Sequence, residues 1–270
     1  MSTSSTQRDA IIRMQDVTVS YGSRPVLDNV SLDIYRGEIL VLLGGSGSGK
    51  TTLLKQVLGL MKPNTGSIVV NGVDITSCTP ADLAAVRRHI GVAFQAAALF
   101  NSMSVQANVA VPLQELTQLP DSTIGLITWI KLWMVGLADA ARLYPSELSG
   151  GMRKRAAIAR AIALDPEILV FDEPSAGLDP IVAADLDELI VFLNDILGIT
   201  MLVVTHHLES AFRIAHRIAM LHQGHLIAVD GKEQFANNSH PRIRQFLDHK
   251  PDSVMGEQGF KAAYLKRVSL

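Results

Sequence analysis

Gly44-Gly45-Ser46-Gly47-Ser48-Gly49-Lys50-Thr51 follows the apolar run Ile39–Leu43 and precedes leucines at helical spacing. The stretch fits the pattern G-x4-G-K-[S/T]. Its glycines let the backbone bend until successive N–H groups face phosphate oxygens, and a helix that begins near Lys50 adds the positive end of its dipole. We expect Lys50 to reach the β- and γ-phosphates and Thr51 to ligate Mg²⁺. The stretch therefore predicts the phosphate-binding loop of an α/β nucleotide-binding protein.

Strand patterns surround this loop. Residues 17–21 and 30–34 alternate apolar and polar side chains, as half-solvated strands do. The continuous apolar run Ile39–Leu43 predicts a strand buried on both faces. Asn71-Gly72 lies between two short apolar runs and predicts a hairpin, and apolar strands return at 168–171 and 201–204. Together these patterns predict an α/β fold with a buried, mostly parallel sheet and an antiparallel β subdomain.

Helical patterns dominate between Gln95 and about Asp165. The sequence therefore predicts a helical insertion in the α/β core, with breaks at Pro112, Pro120 and Pro145. Further helices are predicted over 51–60, after the cap Thr79 with Pro80 at the first helical position, over 153–163, and between Asp179-Pro180 and Gly198.

Two carboxylates end an apolar strand at Ile168–Glu173. Because α/β sheets place ligands at the carboxyl ends of their strands, both side chains are expected near the phosphate loop. Asp172 suits Mg²⁺, directly or through water. Glu173 suits the attacking water, as its general base or as the group that orients it.

A second anion site is predicted at Leu148-Ser149-Gly150-Gly151-Met152, just before a helix. One chain with two phosphate sites separated by a helical insertion suggests that each site is completed by another copy of the chain.

In their order these segments resemble the motifs of the nucleotide-binding subunits of ABC transporters, over about residues 8 to 247. The resemblance implies a P-loop NTPase of the ABC type, with ATP and Mg²⁺ as cofactors and ATP hydrolysis as its activity. Gly44–Thr51 resembles the Walker A loop, Gln95 the Q-loop, Leu148–Met152 the signature, Ile168–Glu173 the Walker B strand, Ser175–Asp179 the D-loop and His206 the switch histidine.

The resemblance implies a role for each matching residue. Glu173, His206, Gln95 and Lys50 would be catalytic, and Thr51, Gln95 and Asp172 would hold Mg²⁺. The residues implied in contact with ATP are Tyr21, Gly44, Gly45, Ser46, Gly47, Ser48, Gly49, Lys50, Thr51, Thr52, Ser149, Gly150, Gly151 and Asp179.

Several of these assignments have alternatives. Gln95 is also an ordinary polar strand end, Tyr21 suits plain strand packing as well as adenine stacking, and His206 has a rival in His207. Two residues depart from the family pattern: His207 stands where an acid is usual, and Met152 where most members have Gln, which removes one polar contact at the signature turn.

Other stretches resemble the ATPases of the maintenance-of-lipid-asymmetry (Mla) systems, among them Ala98–Val105, Val111–Glu115, Asp179–Ile181 and His240–Asp248. This resemblance implies phospholipid transport by a peripheral protein on the cytoplasmic face of a Gram-negative inner membrane. The implied partners are a second copy of the chain, an integral-membrane permease, an MCE-class substrate-binding protein and a STAS-domain protein. The alternative is a subunit of another ABC importer or exporter.

The predicted domains are an ABC ATPase domain over 8–247, with its core at 8–94 and 166–247 and its helical subdomain at 95–165, and a C-terminal tail over 248–270. Trp129, Trp133, Ile130 and Leu137 form an apolar helix face that is either core or a contact for the permease. The tail either contacts the neighbouring ATPase and the STAS protein or is an unanchored polar end.

Composition excludes several classes of protein. The net charge of −2 and pI of about 6.4 do not suit a general nucleic-acid binder. The single cysteine, Cys78, excludes an intramolecular disulfide and a cysteine-built zinc site. The start of the chain has no apolar segment typical of a signal peptide, and 124–137, interrupted by Lys131, is too short for a membrane helix.

A hydrophobic content of 48% and a mean hydropathy of +0.24 favour either a buried partner surface or a well-filled core. Two other functions are disfavoured. Soluble ABC ATPases of DNA repair and translation carry coiled coils, zinc insertions or a second ATPase unit, which this sequence lacks. A non-catalytic NTP-binding regulator is disfavoured by the intact Lys50, Asp172 and Glu173.

Overall fold

A computed structural model describes residues 9–250. Of these, residues 9–232 belong to one compact unit and residues 233–250 to a second. The strands are β1 (Ala10–Tyr21), β2 (Arg24–Tyr35), β3 (Ile39–Leu43), β4 (Thr65–Val70), β5 (Val73–Asp74), β6 (Ile90–Ala93), β7 (Ile168–Asp172), β8 (Thr200–Thr205), β9 (Arg217–His222) and β10 (His225–Gly231).

Helices connect or follow most of these strands. They are α1 (Lys50–Val57), α2 (Pro80–Arg88), α3 (Val105–Leu116), α4 (Asp121–Met134), α5 (Gly150–Ala161), α6 (Pro180–Leu197), α7 (Leu208–Ile214), α8 (Lys232–Ala236) and α9 (Pro241–Leu247).

The larger sheet has six strands in the order β10-β9-β3-β8-β7-β6. All pairs are parallel except β10 with β9 at one edge. The side chains of β3 are buried throughout, as its continuous apolar run predicts, and so are those of β8. The predicted mostly parallel core sheet is therefore confirmed, with strands buried on both faces.

The smaller sheet is antiparallel, in the order β2-β1-β4-β5. Its inward residues, such as Ile12, Val19 and Ile34, are almost fully buried and form one cluster with apolar residues of the parallel sheet. Asn71-Gly72 makes the turn between β4 and β5 with both residues at positive φ, which confirms the predicted hairpin.

The predicted helical insertion is present, but its predicted break at Pro112 is wrong. Pro112 lies within α3, which begins at the N-cap Ser104, whose hydroxyl accepts from the Ala107 N–H. The helix continues past the proline because it buries Val109 before Pro112 and Leu113 after it. Tertiary packing thus outweighs the cost of the helix hydrogen bond that proline cannot donate.

The predicted helix end at Leu60 is also wrong, because α1 stops at Val57. Gly59 takes a left-handed conformation with φ 62, and its N–H donates to the Gln56 carbonyl while the Leu60 N–H donates to the Lys55 carbonyl. These two bonds form a Schellman motif, which closes a helix.

The apolar face predicted in the insertion needs one correction. Trp129, Trp133 and Ile130 lie exposed on α4, whereas Leu137 lies beyond the end of α4 and is buried. Among residues 9–250 no helix is both long and apolar enough to span a membrane.

The second unit contains α9 and most of α8. Phe235 and Ile243 are fully buried, and the Arg244 guanidinium donates to the Ala236 carbonyl. From residue 251 onward, the predicted tail lies outside the residues that the structure describes.

Candidate functional site

Four strands of the parallel sheet deliver the predicted site residues to one edge. In the strand register Leu43 pairs with Thr205, Asp172 with Val204, and Ala93 with Phe171. The segments that follow β3, β6, β7 and β8 therefore leave the sheet side by side. They begin with Gly44, Phe94-Gln95, Glu173 and His206, which is the arrangement expected for a ligand site of an α/β sheet.

Steric constraints explain two glycines of the phosphate loop. A Cβ atom on Gly44 would lie 2.4 Å from the Leu221 carbonyl oxygen and 2.6 Å from Ser48 Oγ. Gly49, the residue before α1, has φ 109, and a Cβ there would lie 2.8 Å from the Val26 carbonyl oxygen. Neither position admits a side chain without rearrangement of the neighbouring backbone.

Backbone and side-chain bonds fix the loop in its curled shape. The Gly224 N–H donates to the Ser48 carbonyl at 3.0 Å, which ties the loop to the β9–β10 turn. Lys50 Nζ donates to the carbonyl oxygens of Gly44 at 2.7 Å and Gly45 at 3.0 Å. Burial lowers the pKa of Lys50, while the charges of Glu173 and Asp172 oppose that effect.

The loop has polar groups that suit a phosphate. Gly45, Ser46 and Gly47 are exposed, and a Cβ atom on Gly45 or Gly47 would meet no atom within 4 Å. Ser48 Oγ is buried and finds no hydrogen-bond partner among residues 9–250. An anion at this helix N-terminus would therefore find open space and available donors.

Glu173 is held firmly at the end of β7. Its backbone has φ 49, and its N–H donates to the Val204 carbonyl at 2.8 Å. The Thr205 hydroxyl donates to Glu173 Oε2 at 3.2 Å, and His206 Nδ1 lies 2.8 Å from Glu173 Oε1. The structure thus brings the two predicted catalytic side chains, Glu173 and His206, into direct contact.

Asp172 has the properties of a cation ligand. Burial raises the pKa of its carboxyl, and so does the neighbouring Glu173, while Lys50 and Lys154 oppose the rise. Among residues 9–250 no hydrogen bond to the Asp172 carboxylate is found. A carboxylate with free oxygens suits Mg²⁺, which prefers oxygen ligands, and Thr51 is exposed in the first turn of α1.

Lys154 belongs to this site, although the sequence analysis missed it. Its Nζ donates to the Gln95 carbonyl at 2.6 Å and to the Glu173 carbonyl at 3.2 Å. Burial lowers the pKa of Lys154, and the charges of Asp172 and Glu173 oppose that effect. In the sequence, Lys154 is marked only by its position three residues after Gly151. That position does not reveal which strands α5 approaches.

The second predicted anion site lies at the start of α5. This helix begins at Gly150, three residues earlier than predicted. Ser149 is the N-cap, and its hydroxyl accepts from the Met152 N–H at 3.2 Å. A Cβ atom on Gly151 would lie 2.5 Å from Val182 Cγ1. Among the described residues no hydrogen bond or ion pair links Ser149, Gly150 or Gly151 to the phosphate loop, so this chain does not join its two anion sites directly.

The remaining predicted residues occupy simpler surroundings. Asp179 caps α6 and accepts from the N–H groups of Ile181 and Val182, both at 3.1 Å. Tyr21 is 45% exposed at the end of β1, so its ring is accessible to a ligand, and its hydroxyl lies 3.6 Å from Met61 Sδ. Gln95 is exposed, and Thr52 is buried in α1.

Comparison with known proteins defines the class. A family model described as "ABC transporter" matches residues 27–176. The chain belongs to this family, which confirms the predicted ABC-type fold; it binds ATP and is an ATPase.

Individual relatives are more specific. The "Intermembrane phospholipid transport system ATP-binding protein MlaF" of Escherichia coli K12 is 44% identical, with 88% of each chain covered. MlaF of Haemophilus influenzae is 42% identical, covering 90% of this chain and 92% of that protein. The "Probable ribonucleotide transport ATP-binding protein mkl" of Mycobacterium tuberculosis H37Rv is 41% identical, covering 91% and 68%. The recognised resemblance to ABC ATPases of the Mla type is therefore confirmed.

Solved structures of similar proteins agree with the assignment to the ABC family. A dimer of the ATP-binding cassette MJ0796, in a post-hydrolysis state with ADP and Pi, has a TM-score of 0.75 and 30% identity over 82% of this chain and 98% of that chain. CbiO1 from Clostridium perfringens, part of the ABC transporter complex cbiONQ, has a TM-score of 0.80 and 27% identity over 89% and 99%.

Proposed function

We propose that this chain is the ATP-hydrolysing subunit of an ABC transporter that moves phospholipids between the inner and outer membranes. The observation that carries the proposal is the 44% identity to MlaF of Escherichia coli across 88% of both chains. A site built at the ends of four parallel strands supports the ATPase part of the proposal.

We assign the roles within one chain as follows. Lys50 and the N–H groups of the phosphate loop bind the β- and γ-phosphates, and Tyr21 stacks on the adenine. Thr51, Asp172 and Gln95 hold Mg²⁺, which would neutralise phosphate charge. Glu173 activates or orients the attacking water, and His206 contacts the γ-phosphate. The 2.8 Å contact between Glu173 and His206 supports their joint action.

The second phosphate contact is proposed to come from another copy of the chain. Within residues 9–250 the Ser149–Gly151 turn has no bond to its own phosphate loop, and similar cassettes such as MJ0796 are dimeric. In a head-to-tail dimer this turn and Asp179 would meet the nucleotide of the neighbour. ATP would then close the dimer and hydrolysis would open it.

The proposed partners follow the same resemblance: a permease, an MCE-class protein and a STAS-domain protein, with the ATPase peripheral on the cytoplasmic face of the inner membrane. The helical subdomain at 95–165, with Trp129 and Trp133 exposed on α4, is the proposed contact for the permease. The ABC ATPase domain over 8–247 and the C-terminal tail over 248–270 are also part of this proposal. Deletion of 249–270 is predicted to weaken dimerisation or STAS binding.

The test is affinity purification of the full chain from membranes, with mass spectrometry of the proteins and lipids recovered. We expect an integral-membrane permease and enriched phospholipid. The Lys50→Ala variant serves as the control for ATP-dependent association. Recovery of a nucleotide-transporting permease without lipid would favour the function named for the mycobacterial relative, and recovery of no membrane protein would contradict the transporter assignment.

A further inference from the structure

Glu173, His206 and His207 form a cluster of metal-ligating side chains. Each offers one ligand atom, and these atoms all lie within 4.8 Å of one another. His206 Nδ1 is 2.8 Å from Glu173 Oε1, and the rings of His206 and His207 have centroids 4.1 Å apart. The two histidines are exposed, so an ion in solution can reach them.

The Thr205 side chain links two members of this cluster by hydrogen bonds. The Thr205 hydroxyl donates to Glu173 Oε2 at 3.2 Å and accepts from the His207 N–H at 3.1 Å. The Glu173 N–H also donates to the Val204 carbonyl. The three ligands thus stand at the ends of two neighbouring strands of the buried sheet, which limits the cost of ordering them around an ion.

We propose that Glu173, His206 and His207 bind a divalent transition-metal ion of the Zn²⁺ type. Two imidazoles with one carboxylate suit Zn²⁺ and related ions, whereas Mg²⁺ prefers oxygen ligands. Three protein ligands leave a fourth position for water or a phosphate oxygen. This site is therefore distinct in chemistry from the Mg²⁺ site proposed at Thr51 and Asp172.

The ion would inhibit the ATPase. It would engage Glu173 and His206, the two side chains assigned to the attacking water and the γ-phosphate. Lys50 and the phosphate loop would remain free to bind ATP. Metal binding itself does not depend on the proposed function, whereas this inhibition rests on it.

His207 allows the proposal to be tested without removing a catalytic residue. It is the residue before α7, where its side chain makes no capping hydrogen bond to any described residue, and asparagine is among the residues favoured there. His207→Asn should therefore fold and keep MgATP hydrolysis while it removes one ligand. His225→Asn is the matched control, because His225 is an exposed histidine on β10 outside the cluster.

The first experiment titrates the full chain with Zn²⁺ by calorimetry and with Co²⁺ by visible absorption, without nucleotide or Mg²⁺. We expect one tight site per chain with a Co²⁺ spectrum typical of nitrogen ligation. Loss of a mere hydrogen-bond partner of a ligand costs about 10–100-fold in metal affinity, so His207→Asn should weaken binding at least about tenfold. His225→Asn should bind like wild type. The proposal would be overturned by any of three results: equal Zn²⁺ affinity of wild type and His207→Asn, equal weakening of Zn²⁺ binding in both variants, or no tight Zn²⁺ site.

The second experiment measures MgATP hydrolysis by the assembled transporter against Zn²⁺ concentration. His207→Asn should need at least about tenfold more Zn²⁺ for half-inhibition than wild type or His225→Asn, and an unchanged value would contradict inhibition through this site. Lys50→Ala separates the two proposals, since it should weaken ATP binding and keep Zn²⁺ binding. Loss of Zn²⁺ binding in Lys50→Ala would contradict the assignment of the metal to the three-residue cluster.

Discussion

The phosphate loop and the signature turn are both glycine-rich starts of helices, yet they are built differently. In the loop, Gly47 and Gly49 have φ of 74 and 109, so the backbone itself needs glycine. In the turn, Gly150 and Gly151 are helical, and Gly151 is needed because Val182 leaves no room for a side chain.

Their serines differ as well. Ser48 Oγ in the loop is buried and has no hydrogen-bond partner in the part of the chain that the structure describes, whereas the Ser149 hydroxyl already caps its own helix. The loop also has a lysine that curls back onto it, and the described turn has no such bond to its own glycines. The loop thus combines a curled backbone, a buried serine and a lysine within one chain, which suits a phosphate, while the turn is proposed to contact the nucleotide of a neighbour.

The largest expected effect separates ATP hydrolysis from ATP binding at the phosphate-loop site. In Glu173→Gln the amide cannot accept the proton of water, and general-base catalysis typically contributes about 10²–10⁴-fold. Turnover of the assembled complex, measured by phosphate release, should fall by that range while ATP still binds and the closed dimer accumulates. Hydrolysis at the wild-type rate would contradict the role of Glu173.

The next effect compares the two sites in ATP binding by the isolated chain. Lys50→Ala removes at least one hydrogen bond from a charged donor to the phosphates, worth about 1.5–3 kcal/mol, so ATP binding should weaken by about 10–150-fold or more. Ser149→Ala should bind nucleotide like wild type. Fluorescent ATP titration checks both, and an equal loss in the two variants would remove the distinction between the loop and the turn.

Stability tests the different reasons for glycine. Gly49→Ala combines backbone strain of about 1–3 kcal/mol with a contact to a backbone oxygen that cannot turn away. Gly151→Ala should cost about 1–3 kcal/mol through overpacking against Val182. Val182→Ala in the Gly151→Ala background should recover most of that loss in urea unfolding, and the absence of recovery would contradict the packing explanation.

The smallest effect concerns the cap of the signature helix. Ser149→Ala should lower the free energy of unfolding by about 1 kcal/mol, the usual value of an N-cap. Thr79→Ala is the control, because the Thr79 hydroxyl caps α2 by accepting from the Asp82 N–H and also donates to the Asp82 carboxylate. Thr79→Ala should lose at least as much stability, but only Ser149→Ala should reduce hydrolysis in the complex. Equal hydrolysis in the two variants would deny Ser149 a contact with the neighbour's nucleotide.

Local patterns in the sequence were enough to predict most of this fold. The buried strand Ile39–Leu43, the hairpin at Asn71-Gly72 and the helix that ends at Gly198 all depend on residues close in sequence, and the structure confirms them. The end of α1 was also predictable in principle, since Gly59 is a usual helix terminator.

Features that depend on distant contacts could not be predicted. Pro112 stays within a helix because the tertiary fold buries Val109 and Leu113 on either side of it, and Lys154 reaches Gln95, 59 positions earlier in sequence. The two phosphate sites could be found from their motifs, but the absence of a bond between them among the described residues became visible only in three dimensions.

The β9–β10 turn limits how the chain can be engineered. Gly224 donates to the phosphate loop through Ser48, its own carbonyl accepts from the Asp28 N–H, and a Cβ there would lie 2.7 Å from the Val26 carbonyl oxygen. A tag, protease site or new terminus inserted at this turn would separate the loop from its support. The exposed Gly72, with open space around it, is the better place to lengthen or open the chain.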